Sequence, residues 1–166
     1  IRLIKRSHNA FLVWESAGLF NKKFLEFFES FKEIYQPTAA TRIGIKYTNF
    51  LPEQLLKQDG RPLCYYVKSP FAGPFENLCF LEPPMIGYSG TSEWTFSEQS
   101  FIRVNYGIGT VISSGMKMFY IDTDVFSTGN VSLNHIGDKL ELYHNYAYDI
   151  FRWIISEDLH EYLKNR

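Results

Sequence analysis

The sequence predicts an α+β fold, an antiparallel sheet with two main helices packed on one face. Three observations carry this. Residues 24–35 and 136–154 repeat apolar side chains at three- and four-residue spacing, the period of a helix with one buried face. Residues 41–50, 101–114 and 117–126 alternate apolar and polar side chains, as strands of a sheet covered on one side do. The last two of these follow one another across a Ser-Gly turn, the spacing of a hairpin. Strands grouped between helices, without regular βαβ alternation, mark the α+β class. At 166 residues the chain is read as one domain.

Taken in order, residues 2–15 read as one or two strands with His8-Asn9 as a turn. Asn21 suits a helix N-cap, and the helix after it places Phe24, Phe27, Phe28, Phe31, Ile34 and Tyr35 on a core stripe until Pro37 ends it. Along 41–50 Ile43, Ile45 and Tyr47 share one face, and Arg42, Lys46 and Thr48 the other. Pro52 opens a short helix that ends towards Asp59-Gly60. Residues 61–97, broken by prolines, read as two or three short strands around LCYYV, LCFLE and EWTF. In 101–114 Ile102, Val104, Tyr106, Ile108 and Ile112 face the core, opposite Arg103, Asn105, Gly107 and Gly109. KMFYIDTDVF is the partner strand, 127–134 a loop, and the final helix carries Ile136, Leu140, Tyr143, Ala147, Ile150 and Ile154. Ser156 caps a last turn, EDLHEYL, with Glu157 and Asp158 at its positive end.

Composition excludes several classes. With 17 basic and 18 acidic residues, net charge −1 and no like-charge run, the chain lacks the clustered cations of a phosphate-backbone binder, so nucleic acid is disfavoured. No apolar run approaches the roughly 20 residues of a membrane helix. Cys64 and Cys79, the only cysteines, sit beside aromatics and form no CxxC pair; this usage suits buried thiols in a reducing cytoplasm, the alternative being a single disulfide between them. None of the histidines makes an HExxH or close ligand pair, and each is expected on a surface or helix face. YGIGT is not followed by a helix and fails as a phosphate loop. No catalytic residue, cofactor or resident metal is assigned.

The candidate site is the polar face of the sheet. Asp122 and Asp124, one residue apart, must point the same way, and strands in matching phase put Arg42, Lys46, Arg103 and Asn105 on the same side. Opposite charges on neighbouring strands pair, which keeps the aspartates ionised. The same residues in an open face would bind a small polar or anionic ligand, since a guanidinium grips a carboxylate or phosphate in two places. The alternative is a metal-assisted enzyme in which Asp122 and Asp124 supply two hard oxygen ligands.

The order of these pieces, an N-terminal strand pair reaching Trp14, an aromatic helix, TRIGIKYTNFLP, YIDTDVF and the ending FRWIISEDLHEYL, resembles a sporadically distributed family of uncharacterised prokaryotic proteins. Arg42, Gly44, Ile45, Lys46, Tyr47, Thr48 and Asn49 would occupy its Arg-x-Gly-Leu-Arg-Tyr-Ile-Asn stretch, with Lys46 and Thr48 departing from the usual Arg and Ile. Phe151, Ile155, Ser156, Leu159 and His160 would occupy its ending. The resemblance implies that this chain is the C-terminal portion of a longer protein and brings no established activity. Together these readings point to a non-catalytic binding or assembly module, a homodimer or a protein partner being expected beside a small polar ligand.

Overall fold

A computed structural model describes residues 17–52, 63–72 and 87–165. Four strands, β1 (Ala40–Pro52), β2 (Tyr88–Ser97), β3 (Ser100–Thr110) and β4 (Lys117–Val131), form one antiparallel sheet in the order β1-β4-β3-β2. The helices are α1 (Ala17–Tyr35), the single turns α2 (Leu63–Tyr66) and α3 (Ser69–Ala72), α4 (Ile136–Ile154) and α5 (Glu157–Lys164). The fold is thus α+β. Residues 1–16, 53–62 and 73–86 lie outside the described residues, and with them the expected N-terminal strands, the Pro52 helix and Cys79; the side chain of Cys64 does too.

The core lies between the sheet and α4. Ile43, Ile45, Tyr47 and Leu51 of β1, Ile102, Val104 and Tyr106 of β3, and Phe119, Ile121 and Val125 of β4 meet Leu140, Tyr143, Ala147, Phe151 and Ile154 of α4 in one buried cluster. The period-two pattern puts every second residue of these strands inward. Phe28 of α1 joins the same cluster. Hydroxyls cross the layer as well: Ser127 of β4 bonds both Ser100 of β3, at 2.7 Å, and the Tyr143 hydroxyl of α4. Thr123 Oγ1 and Asn49 Nδ2, both buried, have no hydrogen-bond partner among the described residues.

Several sequence expectations are corrected. Helix α1 begins at Ala17, so Asn21 lies inside it and is no cap. Its stripe is only half used, because Phe28 is buried while Phe27, Ile34 and Tyr35 are exposed. LCYYV is a helical turn rather than a strand. It docks on the α4–α5 junction through the Val67–Ile155 bridge and the Lys68 and Ser156 amides, which donate to Ile154 and Tyr66. β3 stops at Thr110, and Ile112 is fully exposed in the tight turn that follows. β4 instead runs on to Val131 through the expected loop, because Ser127 and Val131 find partners on β1. Ser156 is the N-cap of α5, its Oγ accepting from the Leu159 amide at 3.2 Å.

Candidate functional site

The register lays the outward-facing residues in cross-strand rows. One row reads Lys46, Asp124, Arg103, Glu93 from β1 to β2. The next reads Thr48, Asp122, Asn105, Thr91, and on the other side lies Gly44, Phe126, Phe101, Thr95. The structure therefore brings together all six residues that the sequence singles out, Arg42, Lys46, Arg103, Asn105, Asp122 and Asp124.

Within this face every cation has a carboxylate, and the choice of partner is mostly diagonal. One Arg42 Nη donates to both oxygens of Asp124, at 2.9 and 2.7 Å. On the way the Arg42 guanidinium lies 4.4 Å from the centre of the Phe126 ring. Gly44 makes that path: a Cβ there would lie 2.6 Å from the Phe126 Cβ. Lys46 Nζ stands 2.8 Å from Asp122, whose other side is held by the Thr48 hydroxyl at 2.8 Å. Arg103 Nε donates to Glu93 at 2.8 Å, and the Thr91 hydroxyl donates to Asn105 at 2.9 Å. The Arg103 guanidinium also stands 5.7 Å from Phe126, which stacks on Phe101.

Exposure divides these groups. The aspartate side chains keep 17% of their surface in water, while those of Arg42, Lys46, Arg103 and Glu93 keep 45–48%. The Arg103 hydrogen bond lowers the pKa of Glu93, and Glu93 in turn raises that of Arg103. The two charges hold each other ionised. Three cations and three anions cancel, so the face is polar and neutral. An incoming anion must compete with carboxylates already in place, and Asp122 and Asp124 each face a cation rather than open space. Among the described residues no three His, Cys, Asp or Glu side chains converge as a metal-binding group, and no helix is long and apolar enough to cross a membrane.

Glu93, Phe101 and Phe126 belong to this face and were not singled out from the sequence. The available signal was the outward phase of Glu93 in YSGTSEWTFS, opposite Trp94 and Phe96, which join the core side. The three histidines among the described residues lie elsewhere. His135 is exposed, as expected. His144 of α4 is half-buried against the sheet, its Nδ1 2.8 Å from the Tyr47 hydroxyl. Burial lowers the His144 pKa, against a smaller opposing effect of Glu141, and raises that of Tyr47 to about 12. His160, expected on a surface or helix face, lies on α5 and is buried. The Arg152 guanidinium contacts its ring at 2.6 and 2.9 Å, and Arg152 also bonds Glu157 at 2.9 Å. Burial first, then Arg152, depresses the His160 pKa.

No protein family, curated protein or solved structure matches the chain.

Proposed function

We propose that the chain is a non-catalytic binding or assembly module that works through the open face of its sheet and takes a protein surface rather than a free anion. The observation that supports this is the internal pairing of Arg42, Lys46 and Arg103 with Asp124, Asp122 and Glu93. A face of balanced charges across all four strands offers alternating signs to a partner of matching pattern. Such groups select and orient a partner more than they add affinity. Cysteine usage favours a reducing cytoplasm as the setting.

Site-specific photo-crosslinking in the cell tests this reading. A crosslinking residue at Ser89, outward on β2, should yield protein adducts, and one at Glu141, exposed on α4, should not. No adduct from Ser89 refutes the open face as the working surface. For the metal-assisted alternative, millimolar Mg²⁺, Mn²⁺ or Ca²⁺ would raise the melting temperature by mass action on the folded state. A shift of several degrees that Asp122→Asn removes would overturn the non-catalytic reading.

A further inference from the structure

We propose that the open face is an isologous interface, its partner a second copy of this chain packed sheet to sheet. The inference rests on the reading that this face is the working surface, and it names the occupant.

Charge complementarity carries it. Across the sheet one row runs Lys46, Asp124, Arg103, Glu93, that is plus, minus, plus, minus. A two-fold axis in the interface plane, running along the strands between β4 and β3, turns the row end for end. Lys46 then faces Glu93 of the other copy and Asp124 faces Arg103, and symmetry repeats both pairs. The flanking rows obey the same operation. Asp122 faces Asn105, Thr48 faces Thr91, and the Phe126–Phe101 ring pair faces itself. A residue i that contacts j while j contacts i is the requirement of a two-fold interface, and a row whose sign inverts about its midpoint meets it.

The competing axis, across the strands, fails. It lays each strand on its own copy, setting Asp124 against Asp124 or Asp122, a like-charge arrangement that disfavours association. Tilting the favoured axis by about 15° from the strands yields the ~30° between strand directions that aligned sheets adopt. Strands about 4.8 Å apart and nine residues long, at about 3.4 Å each, span a face of roughly 600 Å² per copy. That is the scale of a weak, concentration-dependent dimer rather than a permanent one. The half-exposed ends of Lys46, Arg103 and Glu93 remain available to a second partner while keeping the first.

The test is charge reversal with rescue, read by sedimentation equilibrium over a concentration series at low salt. Wild-type protein is expected to dimerise. Lys46→Glu sets a carboxylate against Glu93 in both halves of the dimer, and Glu93→Lys sets an ammonium group against Lys46 in both. Each variant alone should dimerise at least tenfold more weakly while keeping its circular dichroism spectrum, with some fall in melting temperature because each also breaks a pair inside its own chain, Lys46 with Asp122 or Glu93 with Arg103. Mixed in equal amounts, the two form a heterodimer in which every facing pair is opposite, and wild-type affinity should return. Should either charge variant misfold, Thr95→Arg, which drives a long side chain into the Gly44 position of the copy, should weaken the dimer equally. A wild-type chain that stays monomeric to high micromolar concentration overturns the inference. So does a dimer indifferent to both reversals, or a mixture without rescue. If Ser89 then crosslinks to another protein, the binding-module reading stands and only the self-partner falls.

Discussion

Gly107→Ala tests the packing of β2 on β3, on which the Glu93–Arg103 pair depends. Gly107 sits at φ +156° in β3, opposite Ser89. A Cβ added there would lie 2.0 Å from the Tyr88 carbonyl oxygen and 2.7 Å from the Ser89 Cα, both backbone. No rotamer relieves such a clash; either β2 withdraws or the glycine conformation is lost. An unfavourable backbone conformation costs about 1–3 kcal/mol and overpacking about 1–3 kcal/mol more, so roughly 2–6 kcal/mol is expected. At 2–4 °C per kcal/mol for a chain of this size, the melting temperature should fall by about 10 °C. Gly109→Ala is the matched control on the same strand and face. Its Cβ meets nothing closer than Tyr120 Cδ1, at 3.9 Å, and alanine restricts the unfolded chain, so a change between neutral and about +1 kcal/mol is expected. Urea unfolding of the two variants decides. If they agree within about 0.5 kcal/mol, the close approach of β2 to Gly107 does not hold and the row ending in Glu93 loses its basis.

Thr123 buries a hydroxyl without a partner among the described residues, so Thr123→Val should be neutral or stabilising by about 1 kcal/mol in urea unfolding; a loss above about 1 kcal/mol would mean the hydroxyl is satisfied in solution. Tyr143→Phe removes the hydroxyl that meets Ser127 within the Ser100 chain, and a loss of about 1–2 kcal/mol is expected by the same assay. Stability should also fall with acid. His144 and His160 have depressed pKa values in the fold, so below the unfolded value near 6.5 the unfolded chain binds more protons. Their contribution is full above pH of about 6.5 and is lost as pH falls through the folded values. Melting temperatures between pH 7.5 and 5 check this, and His160→Gln, which removes one of the two imidazoles, should flatten the profile.

What was legible in the sequence is what period alone determines. The α4 stripe, the Ser156 cap and the in/out phase of β1, β3 and the first ten residues of β4 follow from local pattern, and the six polar-face residues came with them. What was not legible depends on what lies next to an element. The apolar stripe of α1 was visible, but period does not say that its Phe27, Ile34 and Tyr35 remain exposed. LCYYV is too short for its apolar run to separate a strand from a helical turn. Residues 127–131 are loop-like in composition, yet β1 supplies a ladder, and pairing outweighs a weak propensity. The burial of His160 was not legible because the α4–α5 junction, not α5 alone, produces it.

The partner choice on the open face follows from side-chain reach, which no pattern of alternation reveals. Asp124 lies opposite Lys46 on one side and Arg103 on the other, yet its hydrogen bonds come from neither of them. Arg42, two residues along β1, stretches over Phe126 through the space left by Gly44 and takes both carboxylate oxygens. Lys46 reaches diagonally to Asp122, while Arg103 turns outward to Glu93 on the edge strand. The charged residues that the sequence marks on β1, β4 and β3, Arg42, Lys46 and Arg103 against Asp122 and Asp124, thus leave one positive charge over, and a single glutamate from β2 cancels it. With Glu93 in place the row alternates in sign from edge to edge. Without it, Arg103 would carry a surplus charge, and the face would suit an anion better than a copy of itself.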